Sequence, residues 1–308
     1  MKVGFIGLGT MGSSIALNAI KGQNALVVHD INRAAAKPHL EIGAAWADSP
    51  KEVAARSDVV FTSLPGPPQV EAVALGESGL LAGFAKGSAY FDLSTNSPTV
   101  MRRLHATFAA RGIEVMDAPV SGGPDGARSG RMAIWVGGDR ATFDKYKPVL
   151  DAMGDAARYI GPIGAGSIAK LVHNLSGYII QTALAETFTM GVKAGLEPDA
   201  LWEAVRQGAL GRRRTFDTLQ RNFLPQRFDP PDFALELARK DVALACEVGR
   251  EFEVPMKLAH VTLAEMTEAM NRGWQRRDSR VAMTLQTERA GVEIKVDPRR
   301  LQAILDAD

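Results

Sequence analysis

The chain has 308 residues, of which 46% are apolar and 23% charged, a balance that predicts a packed globular protein of about two domains and excludes wholesale disorder. Lys plus Arg number 36 and Asp plus Glu number 35, so the formal net charge is +1. That near-balance excludes the large basic excess on which general binding to nucleic acid or to an anionic membrane depends.

A single cysteine, Cys246, excludes an internal disulfide and a cysteine-based metal cluster, and it predicts a reducing, cytoplasmic setting. No metal site is predicted. The two most apolar segments are residues 1–21, which four glycines interrupt, and residues 171–192, which carry polar and charged side chains. Neither pattern is typical of a signal peptide or a membrane span, so we expect a soluble protein.

Short apolar runs alternate with amphipathic stretches in the first half, which is typical of βαβ units and a parallel, doubly wound sheet. Two helix starts carry capping residues: Ser49-Pro50-Lys51-Glu52 has the pattern of a capping box, and Ser97-Pro98 precedes the next long helix. The predicted strands are residues 3–6, 25–29, 59–63, 90–93, 113–117, 133–136 and 158–160.

The first predicted strand runs into a glycine-rich turn, Gly7-Leu8-Gly9-Thr10-Met11-Gly12, and a helical pattern over residues 11–21 follows. Strand, turn and helix in that order are the context in which a GxGxxG motif binds a dinucleotide. Gly7 permits the tight turn, Gly9 lets the backbone approach a pyrophosphate, and Gly12 lets helix and strand pack closely. The helix start would then offer N–H groups to the phosphates.

The end of the second strand indicates which cofactor binds. Asp30, 18 residues after Gly12, places a carboxylate where it would accept hydrogen bonds from the adenosine ribose hydroxyls and repel a 2′-phosphate. The next residue is Ile31, not an arginine that could hold that phosphate. We therefore predict NAD as the preferred cofactor. Arg33 is expected to open the following helix, although its proximity leaves NADP open.

The pattern changes in the loop over residues 161–166, after which no strand of comparable strength is predicted. One helix of roughly 29 residues is predicted from residue 167, with further helices near 199–207, 232–251 and 258–272. The predicted fold class is therefore α/β. Residues 1–164 form a Rossmann-type doubly wound domain, and residues 165–308 form an all-α domain built on a long interdomain helix.

A polar stripe marks the start of that long helix. Lys170 and Asn174 are four residues apart, so both project from one helix face, which His173 and Gly177 share. Such a stripe is usually solvated. Here it begins at the predicted domain junction, where a cleft is expected.

Three further blocks lie downstream of the glycine turn: Asp117-Ala118-Pro119-Val120-Ser121-Gly122-Gly123, Gly164-Ala165-Gly166-Ser167-Ile168-Ala169-Lys170-Leu171-Val172-His173-Asn174 and Lys240-Asp241-Val242-Ala243-Leu244-Ala245. In these four ordered motifs the chain resembles, over nearly its whole length, the β-hydroxyacid dehydrogenase family of the 6-phosphogluconate dehydrogenase superfamily. That family includes 3-hydroxyisobutyrate dehydrogenase and tartronate semialdehyde reductase. The resemblance implies an oxidoreductase that transfers a hydride between NAD(H) and a small 3-hydroxy acid or its semialdehyde.

For the substrate, the resemblance implies that Ser121, Gly122 and Gly123 contact the acid group. This agrees with a turn that offers a hydroxyl and exposed N–H groups at the carboxyl edge of a sheet. The resemblance further implies that Lys170 protonates the substrate oxygen as the hydride arrives, or takes its proton in oxidation. Asn174 would hold the substrate and the lysine in position.

For the cofactor, the resemblance implies that Leu64-Pro65 lies against it and that Thr95 contacts its nicotinamide end. Lys240 has a counterpart beside the nicotinamide, and it could lower the pKa of Lys170, because burial and a neighbouring cation both favour a neutral lysine. A solvated Lys240 beside Asp241 is the alternative. His173 stands where many members have a second asparagine, which affects the expected substrate preference.

Proteins with other functions share the same scaffold. Imine reductases share the glycine turn, but Lys170 argues against them because those enzymes generally carry another residue there. Retention of Lys170, Asn174 and Lys240 argues against a non-catalytic dinucleotide-binding relative. A 6-phosphogluconate dehydrogenase is disfavoured by length, because only about 140 residues remain for the helical domain.

Two features of the second half leave more than one interpretation. Arg212-Arg213-Arg214 is either a solvated loop or a holder of a second carboxylate on the substrate. The helical domain has more apolar stripe than one copy can bury, and related enzymes pair through it, so we predict a homodimer or homotetramer. Candidates for that surface, some of which would be intrachain core, are Ala183, Leu184, Phe188, Val192, Leu235, Leu237, Val242 and Leu244.

Overall fold

The computed structural model describes residues 1–21, 25–193, 195–208, 211–213, 219–251 and 256–306. The chain divides into two compact units, Met1–Val172 and His173–Asp308. The division falls within one helix, Ala165–Lys193. The predicted domain boundary after residue 164 stays a prediction.

The described residues of the first unit contain nine strands: β1 (Lys2–Ile6), β2 (Ala25–His29), β3 (Ala45–Trp46), β4 (Val59–Thr62), β5 (Ala89–Asp92), β6 (Glu114–Asp117), β7 (Val120–Ser121), β8 (Ala133–Gly137) and β9 (Ala156–Gly161). They form one sheet in the order β3-β2-β1-β4-β5-β6-β8-β7, and β9 pairs with β8. The first six are parallel to one another, which confirms the predicted Rossmann-type sheet.

The far side of the sheet departs from that pattern. β8 runs antiparallel to both β6 and β7, and β9 is parallel to β8. β3 and β7 were not predicted, because a two-residue strand is too short for any hydrophobic period to mark it.

Helices cover the sheet: α1 (Gly12–Lys21), α2 (Lys37–Leu40), α3 (Pro50–Ala55), α4 (Pro67–Leu75), α5 (Leu80–Gly83), α6 (Pro98–Ala109), α7 (Gly123–Ser129) and α8 (Arg140–Met153). Successive strand residues enter separate apolar layers: Phe61 and Phe91 stack with ring centroids 5.2 Å apart in one layer, while Val60 and Tyr90 lie in the other. Burying each such side chain contributes roughly 1.5–3 kcal/mol. Because both faces are covered, the strands are continuous apolar runs, which is why the sequence predicts them well.

The two predicted helix starts differ in detail. At α3, the Ser49 hydroxyl accepts the Glu52 N–H at 3.2 Å, but Glu52 itself accepts from the Asp48 N–H, one residue before the cap. At α6, Ser97 makes no side-chain capping bond; the Asn96 side chain instead accepts the Ser97 N–H at 2.7 Å. The Ser-Pro pattern thus predicts where this helix begins without predicting which side chain closes it.

The second unit is helical, as predicted, apart from an isolated bridge between Ala234 and Asp278 among its described residues. No helix in the described ranges is long and apolar enough to cross a membrane. The remaining helices are α9 (Ala165–Lys193), α10 (Pro198–Gln207), α11 (Leu235–Glu251), α12 (Lys257–Asn271), α13 (Thr284–Ala290) and α14 (Pro298–Asp306).

Much of the apolar stripe assigned to a partner is core of this unit. Leu184, Phe188, Leu235, Val242 and Leu244 are all buried within one copy. Large apolar side chains that are exposed among the described residues of the second unit include Ile180, Leu258 and Val261.

Helix α11 begins three residues later than predicted, because a buried carboxylate takes the N–H groups of the expected first turn. Asp278 accepts the Asp232 N–H at 3.0 Å and the Phe233 N–H at 3.2 Å. Those bonds hold the chain in a bend up to the isolated bridge at Ala234.

Candidate active site

Five parallel strands end at the same edge of the sheet. In the strand ladder Ile6 pairs with both His29 and Thr62, Thr62 pairs with Asp92, and Asp92 pairs with Asp117. The carboxyl edge of an open parallel sheet is where ligands bind in doubly wound folds. The predicted cofactor residues Gly7, Asp30, Leu64 and Thr95 follow four of these strand ends within three residues.

The glycine turn has three glycines with three different surroundings. Gly7 has φ +92°, and a Cβ there would lie 2.3 Å from the Ser63 carbonyl oxygen. A Cβ at Gly12 would lie 1.9 Å from the Gly7 carbonyl oxygen, whereas one at Gly9 would meet nothing within 4 Å. Gly7 and Gly12 are therefore required by the packing of turn and helix. Gly9 is exposed beside the start of α1, where the backbone can approach a phosphate group.

Asp30 is tied to this turn by its own carboxylate. Its Oδ2 accepts the Leu8 N–H at 2.6 Å, and its Oδ1 accepts the Asn32 N–H at 2.7 Å. The carboxylate is thus held at the end of β2, beside the backbone that would receive a pyrophosphate. Ile31 is fully exposed.

Arg33 opens a 3₁₀ helix, Arg33–Ala36, as predicted. Its guanidinium lies over the Trp46 ring, 5.2 Å from the centroid, and 3.7 Å from the Asp48 carboxylate. Arg33, whose proximity left NADP binding open in the sequence analysis, therefore contacts two neighbouring side chains in this structure.

The loops after β4 and β5 are joined by a buried carboxylate that sequence reasoning missed. Asp92 accepts bonds from the Thr62 hydroxyl at 2.8 Å, the Ser94 N–H at 3.1 Å and the Asn96 amide at 2.8 Å. The Ser94 hydroxyl in turn accepts the Leu64 N–H at 2.9 Å. Leu64 thus bonds to Ser94, and Thr95 lies between Ser94 and Asn96, which both bond to Asp92. The two residues predicted to contact the cofactor are therefore connected to this carboxylate through their neighbours.

Burial has clear electrostatic consequences at this position. It raises the pKa of Asp92, although the hydrogen bonds from Ser94, Asn96 and Thr62 act in the opposite direction. Burial and the charge of Asp92 together hold the pKa of Tyr90 well above its usual value. An ionisable residue at the end of a wholly apolar strand was the available sequence signal.

The predicted substrate turn follows β6 and exposes backbone. Ser121 ends β7 and is half-buried, while Gly122 and Gly123 are exposed, with φ +152° and +62°. A Cβ at Gly123 would meet nothing within 4 Å, so the backbone is open to a small ligand. Asp117, at the end of β6, is buried, and accepts the Gly164 N–H at 2.7 Å and the Ser167 N–H at 2.5 Å.

Lys170 is half-buried and lies in α9, one helical turn before the half-buried Asn174. In the second unit, the Asn174 amide donates to Asp241 Oδ2 at 2.6 Å, and Lys240 Nζ lies 2.9 Å from Asp241 Oδ1. Asp241 is buried and was not among the predicted site residues. Its position directly after Lys240 was the only sequence signal. His173, on the predicted polar stripe, is exposed.

Only part of the arginine cluster lies within the described residues. Arg212 is exposed, and its Nε donates to the Gln207 carbonyl at 2.9 Å. Arg213 ends the 3₁₀ helix Gly211–Arg213, and Arg214 lies outside the described residues. A role in holding a second carboxylate stays a prediction.

Comparison with known proteins identifies the class. Residues 2–161 match the family model described as the NAD binding domain of 6-phosphogluconate dehydrogenase. Residues 164–285 match the model described as NAD-binding of NADP-dependent 3-hydroxyisobutyrate dehydrogenase. The chain is therefore an oxidoreductase with NAD(P)-binding domains, and it belongs to the β-hydroxyacid dehydrogenase family, as its motifs predict.

Relatives extend over most of the chain. A 2-(hydroxymethyl)glutarate dehydrogenase from Eubacterium barkeri is 33% identical over 294 residues, which is 96% of this chain and 97% of that protein. The solved 3-hydroxyisobutyrate dehydrogenase of Mycobacterium tuberculosis with L-serine has a TM-score of 0.82 and 27% identity, covering 92% of this chain and 98% of that one. A Streptomyces aurantiacus imine reductase, at TM-score 0.61 and 16% identity over 92% and 99% of the two chains, shares the fold alone.

Proposed function

We propose that this protein transfers a hydride between NAD(H) and a small 3-hydroxy acid or its semialdehyde, with Lys170 as the general acid and base. The observation that carries the proposal is the carboxyl edge of the sheet, where five strands end in register and the predicted cofactor residues of the first unit follow them. An exposed glycine turn and a carboxylate bound to that turn are what a dinucleotide requires.

The predicted cofactor residues are of types that fit NAD. Gly7, Leu8, Gly9, Thr10, Met11 and Gly12 would hold the pyrophosphate, and Asp30 the adenosine ribose. Leu64, Pro65, Thr95 and Lys240 would hold the nicotinamide end. A bound nicotinamide supplies a hydride acceptor or donor. The preference for NAD over NADP rests on Asp30 beside the turn and on the engagement of Arg33 by Trp46 and Asp48.

The chain's own residues would hold the acid and move the proton. Ser121, Gly122 and Gly123 would bind the carboxylate through a hydroxyl and N–H groups. In oxidation Lys170 would take the hydroxyl proton as the C–H hydride leaves, which yields a carbonyl; in reduction it would return that proton. Because the Asn174 amide already donates one hydrogen to Asp241, its oxygen and second hydrogen are the groups with which it would position substrate and lysine.

The relatives' names sharpen the substrate class. 2-(Hydroxymethyl)glutarate, 3-hydroxyisobutyrate and L-serine all carry a CH₂OH group on the carbon next to a carboxylate. We therefore infer that the preferred substrate has this primary alcohol, and that its oxidation gives the matching semialdehyde. Whether the rest of the substrate is apolar, or bears a second carboxylate for Arg212 to meet, is what the substrate screen decides.

The test is a screen of purified protein with NAD⁺ or NADP⁺ against 3-hydroxyisobutyrate, 2-(hydroxymethyl)glutarate, L-serine, glycerate and threonate. NADH absorbance should rise with at least one CH₂OH acid, and kcat/KM should be higher with NAD⁺. Binding of NADH without turnover of any acid would favour a non-catalytic relative. Reduction of a cyclic imine in preference to any semialdehyde would favour an imine reductase.

We also propose a homodimer or homotetramer. Exposed Ile180, Leu258 and Val261 on α9 and α12 support the idea that apolar surface of the second unit is covered by another copy. Light scattering at low micromolar concentration should give at least twice the 33.0 kDa of one chain. A species of 33.0 kDa would contradict it.

A further inference from the structure

Two buried carboxylates stand side by side at the functional edge of the sheet. Asp92 and Asp117 are register partners at the ends of β5 and β6, and each is 1% exposed. Each carboxylate accepts bonds from groups far away in sequence, and burial raises the pKa of both. Burying a carboxylate is costly unless hydrogen bonds compensate, so both positions require their partners to stay in place.

The partners of the two carboxylates belong to different parts of the proposed site. Asp92 bonds to Thr62, which ends β4, and to Ser94 and Asn96 in the loop after β5; the loops after these two strands are the ones proposed to hold the nicotinamide end of the cofactor. Asp117 bonds to the N–H groups of Gly164 and Ser167, at the start of α9. The first N–H groups of a helix have no partner within it, so a carboxylate there both caps the helix and interacts favourably with its dipole.

The contacts around Asp117 leave little room for movement. A Cβ on Gly137 would lie 2.5 Å from Asp117 Oδ1, and one on Gly166 would lie 2.7 Å from the Asp117 carbonyl oxygen. Lys170 follows Ser167 by three residues, so it lies within one turn of the bonded N–H group. The same Asp117 begins the segment that leads to Ser121. One carboxylate thus connects the helix of the lysine to the strand that precedes the substrate turn.

We propose that Asp117 is a positioning residue that fixes the first turn of α9, and with it Lys170, relative to the substrate turn. Asp92 is its counterpart for the cofactor loops, so the two neighbours divide the positioning of chemistry and cofactor between them. This inference rests on the proposed function, because it takes Lys170 as the proton-transfer group.

The test compares the same substitution at the two paired positions. Asn in place of Asp keeps the shape but replaces one acceptor oxygen by an NH₂ group, which cannot accept an N–H or O–H bond. In Asp117→Asn, kcat should fall roughly 10- to 100-fold, the effect of misplacing a reacting group by about 1 Å. The Kd for NADH, measured by quenching of protein fluorescence, should stay within about twofold of the unmodified protein, since the cofactor loops keep Asp92.

Asp92→Asn should instead weaken NADH binding and leave kcat nearly unchanged. The Kd for NADH should rise roughly tenfold, while kcat at saturating NAD⁺ should stay within about threefold, as expected when ground-state and transition-state binding are lost together. A merely structural role for both residues would lower stability without separating kcat from cofactor affinity. Parallel losses of kcat and NADH affinity in both variants would therefore overturn the proposal.

Two further variants make the result decisive. Asp117→Ser removes the carboxylate without placing NH₂ against an N–H, and it should lose kcat in the same way. Loss of NADH binding in both Asp117 variants would make Asp117 a residue of the fold alone and would overturn the proposal. Lys170→Ala distinguishes failure of the positioning role from failure of the proposed function. If Lys170→Ala abolishes turnover while Asp117→Asn keeps full kcat, the positioning role is wrong and the proposed function stands. If Lys170→Ala itself keeps full kcat, the proposed role of Lys170 fails, and the positioning proposal fails with it.

Discussion

The two units of the molecule build their predicted functional residues in different ways. In the first, Gly7, Gly9 and Gly12 act through the backbone, and the buried Asp92 and Asp117 bond to loop and helix N–H groups. In the second, Asn174 and Lys240 meet through a third side chain, Asp241. The contacts in the first unit therefore involve backbone groups, whereas those in the second unit join side chains to one another. The two should therefore respond differently to substitution.

The largest effect is expected at Lys170. Lys170→Ala should lower kcat by roughly 10²- to 10⁴-fold, the usual size of a lost proton-transfer group, while NADH still binds. Steady-state kinetics on the best CH₂OH acid and an NADH titration would measure both. A variant with near-full kcat would reduce Lys170 to a structural residue.

The glycine turn offers a matched pair in which the same change has opposite consequences. Gly12→Ala places a Cβ 1.9 Å from a carbonyl oxygen, so it should lower the free energy of unfolding by about 1–3 kcal/mol or more. Gly9→Ala meets no atom within 4 Å, so stability should change by less than about 0.5 kcal/mol. The added methyl would nevertheless occupy the side that faces a phosphate, and the Kd for NADH should rise roughly tenfold. Denaturant unfolding with NADH titration separates these effects; equal stabilities would contradict the assigned roles.

The same contrast explains what the sequence could predict. Gly7, Gly9, Gly12 and Asp30 could be predicted as cofactor residues because a turn and the strand end beside it leave a local, spaced pattern. Continuous apolar runs marked the long strands, because helices cover both sheet faces. Asp117 lay inside a recognised motif, yet its role depends on N–H groups 47 and 50 residues away, which no local pattern reveals.

The contact of Asp241 could not be predicted for the same reason, since its partner Asn174 is 67 residues away. Details of two helix starts were not predicted either. Ser97 is a good capping residue by type, but Asn96 makes the side-chain hydrogen bond at this start. The start of α11 was displaced by Asp278, which lies more than 40 residues from the N–H groups that it binds. What sequence reasoning missed was thus mainly polar contacts that only the folded chain brings together.

Asp241 gives the second-unit test. Asp241→Asn can still accept from Asn174 but removes the carboxylate charge beside Lys240, so kcat/KM should fall roughly tenfold, which corresponds to one lost charge-assisted bond. Glu247→Gln, on the same helix α11 and exposed, is the matched control and should leave kinetics unchanged. Equal effects from the two variants would mean that net charge, not the Asn174–Asp241–Lys240 cluster, matters.

Asp30 tests cofactor preference in the first unit. Asp30→Ala removes the acceptor for ribose hydroxyls and the charge that repels a 2′-phosphate, so the NAD/NADP ratio of kcat/KM should fall roughly tenfold. Glu77→Ala removes an exposed carboxylate of the same unit that is not among the predicted cofactor residues, and it serves as the control. A preference for NADP in the unmodified protein, or an unchanged ratio in Asp30→Ala, would refute the assignment.

The smallest effects on stability are expected at two exposed groups: a helix-capping carboxylate in the first unit and an ion-paired carboxylate in the second. Hydrogen bonds from the N–H and hydroxyl of Thr142 lower the pKa of Asp139, and those from Arg272 and Arg289 lower the pKa of Glu268. Because both pKa values lie below those of the unfolded chain, each group stabilises the fold above its ordinary pKa. That contribution is lost as pH falls through the lower, folded value.

Salt should distinguish the two contributions. Asp139→Ala should lower stability by about 1 kcal/mol at pH 7, nearly independent of salt, because a cap bond is short and local. Glu268→Gln should have a smaller effect that disappears in 1 M NaCl, where the Debye length is about 3 Å. Thermal unfolding of both variants at low and high salt, and at pH 7 and pH 3, measures this, and both differences should shrink at the lower pH. A salt-independent loss in Glu268→Gln would mean that the side-chain pairs of the second unit are not weaker than the backbone-directed bonds of the first.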